Sequence, residues 1–331
     1  MSTPSAGPAV RTERLAKRYG RTVALEDLSM TVERGEVFGF LGPNGAGKTT
    51  AVKVLLGLAR PSRGRAELLG RRLGDRDVRA RIGYLPELFR YQAWLRGREV
   101  LELHARLARH PADRTPKNVE EVLGLVGLAD RAESFVGTYS KGMQQRLGLA
   151  AALLGRPDLV FLDEPTSALD PVGRLDVRTI IRRARERGTT VFLNSHLLTE
   201  VERVCDRVAI VDGGKVIAAG RLDELLGRPA LTIRAAGVSA EALMALAAFG
   251  PVEVRDDRLR IDPIDPARVP DVVAALVAKG ARIQDVDAGR GSLEDHFIAL
   301  VSGGRAPGPA GPADTAGPAR PAGPDADDAT A

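Results

Sequence analysis

Short unbroken apolar runs alternate along this chain with stretches in which apolar residues recur every three or four positions. Glu36 to Leu41 is one such run, and it leads into a glycine-rich turn and then a helical pattern carried by Val52, Leu55 and Leu56. Short alternating segments flank it between Val10 and about Ala59. A second run, Leu159 to Leu162, stops at Asp163-Glu164; a helix is predicted from about Val172 to Arg187 and a strand at Thr190 to Leu193. Between these, from about Leu88 to Leu154, the pattern is mostly helical, with arginine-rich polar faces around Leu101, Leu103 and Leu107. Strands that alternate with helices predict a mainly parallel sheet covered by helices, an α/β unit.

After Gly227-Arg228-Pro229 the rhythm changes. Leu231 to Arg234, Val252 to Val254, Leu259 to Ile261 and Arg282 to Val286 read as strands, and Ala240 to Ala248, Val269 to Val277 and Leu293 to Val301 as helices. The order βαββαβ predicts a small α+β unit of ferredoxin-like type. Some RNA-binding modules share this order, but they stack bases on strand aromatics, and none of these four strands carries one. No nucleic-acid partner is therefore expected. The expected divisions are a flexible leader at 1–9, the α/β unit at 10–228 with a helical part at about 88–154, an accessory unit at 229–302, and a Gly/Pro/Ala tail at 303–331 expected to be disordered.

Composition narrows the classes further. The chain has 331 residues, 44% hydrophobic and 27% charged, with a formal net charge of +5. Arginines and acids are interspersed, so no block reads as a basic nucleic-acid arm. The single cysteine, Cys205, rules out an internal disulfide and a cysteine zinc cluster, and its apolar neighbours suit a buried small residue. The four histidines lack metal-ligand spacing. No apolar run is long enough to span a bilayer. Met1 to Ala9 lacks the features of a secretion signal, so a cytoplasmic location is expected.

The strongest chemical signal is Gly42-Pro43-Asn44-Gly45-Ala46-Gly47-Lys48-Thr49-Thr50, which fits G-x-x-x-x-G-K-[ST] between a predicted strand and a predicted helix. Glycines let backbone N–H groups turn inward around anionic oxygens at a helix N-terminus. Lys48 supplies a mobile cation for the outer phosphates, and the Thr49 hydroxyl is placed to ligate Mg²⁺. At the end of the second run, Asp163 can hold Mg²⁺ through water while Glu164 polarises an attacking water. Two acids after a strand would by themselves suit an exposed turn. After a phosphate loop in the same unit they suit nucleotide hydrolysis.

With these motifs, Val10 to Gly227 resembles the nucleotide-binding subunits of ATP-binding cassette (ABC) proteins. Tyr19 matches the aromatic on which that family stacks adenine. Ser140-Lys141-Gly142-Met143-Gln144 takes the place of the family signature, Ser167-Ala168-Leu169-Asp170 that of a segment crossing the dimer interface, and His196 that of the γ-phosphate sensor. The resemblance implies two subunits clasping two ATP molecules head to tail, with Ser140, Gly142, Gln144 and Asp170 of each facing the phosphate loop of the other. Two positions depart from the family pattern. Glu87 replaces the coupling-loop glutamine that binds phosphate-side water and Mg²⁺, and Lys141 replaces the first signature glycine.

The run from Tyr139 to Arg146 and the closing Ser292-Leu293-Glu294-Asp295-His296-Phe297 are similar to bacterial exporter ATPases whose polytopic membrane subunit is a separate chain. That places the expected protein peripherally on the inner face of the cell membrane. Leu88, Phe89, Tyr91, Trp94 and Leu95 suit the groove that receives the membrane subunit, or else core packing. Two other readings stand beside this one. A soluble mechanical ATPase of the same family would be expected to carry tandem cassettes, coiled coils or zinc modules. A small kinase or GTPase leaves Ser140 and Asp170 without a role.

Overall fold

The computed structural model describes residues 7–167, 169–226, 229–255, 258–289 and 292–301. Most of the leader, Ala168 of the interface segment and the predicted tail lie outside the described residues.

Strands β1 (Val10–Tyr19), β2 (Thr22–Val32) and β3 (Val37–Leu41) lead into helix α1 (Lys48–Leu55). Then come β4 (Arg63–Leu68), β5 (Arg71–Arg72), α2 (Arg76–Arg79), β6 (Ile82–Leu85), α3 (Gly97–Leu107), α4 (Thr115–Leu125) and α5 (Lys141–Leu153). The large unit continues through β7 (Leu159–Asp163), α6 (Pro171–Glu186), β8 (Thr190–Asn194) and α7 (Leu198–Val204). It ends with β9 (Arg207–Asp212), β10 (Lys215–Arg221) and α8 (Leu222–Leu225). Beyond lie β11 (Ala230–Ala236), α9 (Ala240–Leu246), β12 (Val252–Arg255), β13 (Arg258–Ile261), α10 (Val269–Ala278), β14 (Arg282–Gly289) and α11 (Leu293–Val301).

The first sheet has ten strands in the order β5-β4-β1-β2-β10-β9-β3-β8-β7-β6. Its central strands are parallel, as β9, β3, β8, β7 and β6 pair in one direction. β1, β2, β4 and β5 pair antiparallel and form a flank joined to the rest by one registered pair, Lys215 with Asp27. The period-two alternation of a strand then divides the core in two. Phe38, Phe40, Leu159, Phe161 and Phe192 face α1 and the antiparallel flank, with Phe192 5.0–5.8 Å from the other three rings. Val37, Leu41, Val160, Leu162, Val191 and Leu193 face the opposite way, onto α5, α6 and α7. Each such large side chain stabilises the fold by about 1.5–3 kcal/mol relative to exposure. The double-sided burial explains why these strands read as unbroken apolar runs.

The second sheet has the order β12-β13-β11-β14, antiparallel throughout. Leu231, Ile233, Leu259 and Ile261 share their own small core with Ala242, Leu246, Val272 and Leu276 of α9 and α10. The βαββαβ order expected from the sequence is the order observed. α11 differs from its neighbours, because Leu293 is fully buried among residues of the large unit, with Phe297 packed against them.

Among the aromatics after β6, Phe89 and Tyr91 pack on the core, but Trp94 is 73% exposed, so core packing does not describe it. Cys205 is buried as expected, and burial pushes its thiol well above its usual value.

Candidate active site

β3 delivers the chain into the Gly42–Thr50 loop, and the loop's shape depends on glycine. Gly47 has φ +96°, and a Cβ there would lie 2.3 Å from the Ala24 carbonyl oxygen; at Gly42 it would lie 2.2 Å from that of Val211. No other residue fits between α1 and these neighbouring strands. Gly47 is also the N-cap of α1, and no side chain caps that helix. Its first N–H groups are thus left for a ligand, at the end where the helix dipole favours negative charge. Pro43, Asn44, Gly45 and Ala46 form the loop's outer turn, and Thr49 and Thr50 begin the helix, with Thr49 exposed.

Lys48 folds back over this loop. It is 8% exposed, and its Nζ donates to the Gly42 carbonyl at 2.7 Å and the Pro43 carbonyl at 3.2 Å. Burial lowers its pKa, while Glu164, Asp163 and Glu87, in that order, pull it back up. One cation therefore faces three carboxylates.

The acids come from the parallel strands. Asp163 ends β7 at 2% exposure and pairs in register with Asn194, whose Nδ2 donates to Asp163 Oδ1 at 2.5 Å. Burial raises the Asp163 pKa; the Asn194 hydrogen bond opposes that, and the negative charges of Glu164 and Glu87 add to it. Glu164 is also buried and has φ +51°, a conformation that costs a non-glycine residue about 1–3 kcal/mol. It is held there by its N–H bonding to the Asn194 carbonyl at 2.9 Å and by Ser167 donating to its own carbonyl. His196 Nδ1 lies 2.8 Å from Glu164 Oε2, yet that buried oxygen has no hydrogen bond of good geometry, so the contact is a close approach and not an aligned bond. An orphaned buried carboxylate oxygen marks a place for a polar group or water to enter.

The structure thus gathers Lys48, Asp163, Glu164, Glu87 and His196 in one neighbourhood at the C-terminal edge of the parallel sheet. Tyr19 is 48% exposed at the end of β1, with Lys17 Nζ 4.6 Å from its ring centre. Ser140, Gly142 and Asp170 belong to a different surface. With Lys141, Arg146 and Asp176 they line an open depression of about 400 Å³ that no phosphate-loop residue lines. Ser140 caps α5 by accepting from the Met143 N–H at 3.2 Å, and Asp170 caps α6 by accepting from the Gly173 N–H at 2.7 Å. Gln144 is exposed and donates to the Tyr139 carbonyl.

Three residues went unread in the sequence. Asn194 holds both acids. Gln145 donates to the Pro165 carbonyl at 2.8 Å, tying α5 to the turn after Glu164. The Tyr84 hydroxyl has a pKa raised by burial and then by Asp163 and Glu87. A polar residue ending an apolar strand beside Ser195-His196 was the available signal for Asn194.

The donor set also fits Mg²⁺. Thr49 offers a hydroxyl, Asp163 has one carboxylate oxygen beyond the Asn194 bond, and Glu87 adds another carboxylate, all hard oxygen ligands. Among the described residues no group of three or more His, Cys, Asp or Glu side chains could hold a metal ion.

The family model described as ABC transporter matches residues 25–167. An uncharacterized ABC transporter ATP-binding protein of Nostoc sp. is 42% identical over 314 residues, covering 91% of this chain and 92% of the relative. The daunorubicin resistance ATP-binding protein of Streptomyces coeruleorubidus is 40% identical over 309 residues, covering 91% and 98%. The bacitracin transport ATP-binding protein of Bacillus licheniformis is 34% identical over 302 residues, covering 89% and 98%. Among solved structures, the ATP-binding subunit of an ABC transporter superposes with a TM-score of 0.60 at 32% identity, covering 66% of this chain and 91% of that one. The phosphate loop, the paired acids and 42% identity over 91% of the chain make it a member of the ABC transporter family, an ATP-binding subunit that hydrolyses ATP.

Proposed function

We propose that the chain is the ATPase of an exporter for drug- or antibiotic-like compounds, working as a dimer on a separate polytopic membrane subunit. The observation that carries the dimer is the division of the site within one chain. Lys48, Asp163 and Glu164 are gathered and buried, whereas Ser140, Gly142 and Asp170 line an open depression without a phosphate-loop residue. Two copies set head to tail give each nucleotide both halves.

In this reading Tyr19 stacks on adenine, and the loop N–H groups of Gly42–Thr50 with Lys48 hold the phosphates. Thr49, Asp163 and Glu87 hold Mg²⁺, which when bound neutralises phosphate charge. Glu164 orients the attacking water through the oxygen that lacks an aligned partner, and His196 contacts the γ-phosphate. Ser140 already accepts the Met143 N–H, which leaves its own proton to donate to a phosphate across the interface. Asp170 and Gln144 face the same interface.

The names of the daunorubicin resistance and bacitracin transport relatives support the substrate class. The exposed Leu88 and Trp94 support a docking surface for the membrane subunit. No helix among the described residues is long and apolar enough to cross a membrane, so crossing is assigned to that partner, with this chain on the inner face. We assign ATP work to 10–228 and an accessory role to 229–302.

Sedimentation of Glu164→Gln with ATP and Mg²⁺ tests the dimer. A shift from monomer to dimer on nucleotide addition is expected, and persistent monomer at saturating ATP refutes the arrangement. Recovery of a polytopic protein with the tagged chain from native membranes is expected for the exporter; recovery of ribosomes instead would reject it.

A further inference from the structure

Among the described residues, helix α11 packs on the large unit through Leu293 and Phe297. Leu293 is fully buried in the group that holds Val201, Cys205, Val208 and Leu222, and Phe297 packs against that group. The Leu293 N–H, at the start of α11, donates to Glu202 Oε1. A carboxylate on α7 therefore caps the first turn of α11, where it also complements the helix dipole.

α7 is the helix that follows His196. Its entry is pinned by the Leu197 N–H donating to Ser195 Oγ at 3.1 Å, one residue after Asn194, which holds Asp163 and Glu164. On another flank Glu200 pairs with Arg178 of α6 at 3.5 Å, both side chains largely buried. A helix of seven residues has no stability of its own, so its placement is set by what grips it. Val201, Leu198 and Val204 pack α7 on the core, Glu200 pairs with Arg178, the Arg203 carbonyl accepts from Arg182 at 2.8 Å, and Glu202 ties α7 to α11 by a hydrogen bond. Any tilt of α7 moves His196, whose Nδ1 lies 2.8 Å from Glu164 Oε2.

We propose that Glu202 is a positioning residue for ATP hydrolysis. By capping α11 it fixes α7, and so holds His196 against Glu164, which makes α11 a brace for the hydrolytic pair. This rests on the reading of Glu164 and His196 given above.

The test uses the full chain, with steady-state ATP hydrolysis and the His196 ring resonances, assigned by their loss in His196→Ala. Glu202→Ala is expected to lower kcat about tenfold with KM within about twofold, since small misplacements of reacting groups act on turnover. Its His196 resonance should be displaced. Glu202→Gln keeps an oxygen that accepts the Leu293 N–H and should restore both readings. Glu202→Asp keeps the charge but falls a methylene short, so it should behave like Glu202→Ala, and it serves if the alanine variant fails to fold. Wild-type turnover in both Glu202→Ala and Glu202→Asp overturns the inference. So does a parallel change of kcat and KM, or a folded Glu202→Gln no better than Glu202→Ala. If His196→Ala lowers turnover while the Glu202 variants do not, only the brace is lost. Full turnover in His196→Ala removes the site reading and the brace together.

Discussion

The N-terminus of α1 and those of α5 and α6 follow opposite plans. α1 begins at Gly47 with no side-chain cap, and its free N–H groups sit beside a buried lysine and three carboxylates. α5 and α6 begin at Ser140 and Asp170, each satisfying its own helix with its own side chain in an exposed depression. The first end has uncapped N–H groups beside a buried cation, the arrangement that favours an anion. The other two each have one N–H accepted by their own side chain, and among the described residues no buried charge lines their depression. A single chain thus holds two unlike half-sites, and in the proposed head-to-tail dimer their pairing would convert nucleotide binding into association.

Glu164→Gln gives the largest effect and tests whether the half-site at α1 does the chemistry. Glutamine keeps the shape and the strained turn but removes the negative charge that would draw on the attacking water. Steady-state hydrolysis should fall by about 10²–10³-fold, with ATP affinity retained. A variant that turns over near the wild-type rate would move catalysis away from this carboxylate.

Lys48→Ala should weaken ATP binding to the isolated chain by about ten- to a hundredfold, the loss of charge-assisted hydrogen bonds worth about 1.5–3 kcal/mol. Ser140→Ala in the same titration calorimetry should leave monomer affinity within about twofold while reducing ATP-dependent dimerisation. Equal losses in the two variants would mean that both halves serve one nucleotide within one chain.

How much of this contrast could be read from the residues depends on burial. Val37–Leu41, Leu159–Asp163 and Thr190–Asn194 are buried at every position, so their apolar runs announce parallel central strands. The antiparallel flank was harder to read. β1 carries three register shifts against β2, and Arg14 adopts φ +47°, so its alternation breaks and reads as short disconnected pieces. β9 and β10 do not read as a pair, because β10 alternates half-buried and exposed residues at a sheet junction.

At the site, Lys48, Asp163 and Glu164 stood out because their spacing reflects a local turn. Asn194 did not, because its meaning comes from register with a strand 31 residues away. The seating of α11 on α7 was hidden for the same reason, since Leu293 and Glu202 are 91 residues apart.

Asp163→Asn probes what the half-site at α1 costs. Burial raises the Asp163 pKa above its usual value, so the folded state favours the protonated form. Stability from this group is then fully present below the ordinary aspartate pKa and is lost as pH rises through the raised one, so at pH 7 the ionised carboxylate destabilises the fold. Asparagine can still accept from Asn194 without the charge. The nucleotide-free variant should be more stable at pH 7 by on the order of 1 kcal/mol, seen as a higher melting temperature. The gain should shrink as pH falls toward the ordinary aspartate value. A variant less stable at pH 7 would show that the carboxylate is favourably held without nucleotide, and that burial does not dominate its energetics.

The smallest expected effect joins the two halves directly. Glu87 adds negative charge near Lys48, and Lys141 adds positive charge in the other depression. We propose that the two departures offset one another across the dimer interface. Within one chain they line different sites, and charges that share no partner usually act additively to within about 0.3–0.5 kcal/mol. In the closed dimer Lys141 of one subunit would approach Glu87 of the other. Glu87→Gln should therefore change hydrolysis less in a Lys141→Gly background than in the wild type. The coupling should reach about 0.5–1 kcal/mol at low salt and shrink as salt screens it. Measured under conditions that keep the chain monomeric, the same cycle on ATP affinity should close to zero. Additivity in both states would leave Glu87 and Lys141 as unrelated substitutions. Coupling in the monomer would place both residues at one nucleotide and remove the division of the site between two subunits.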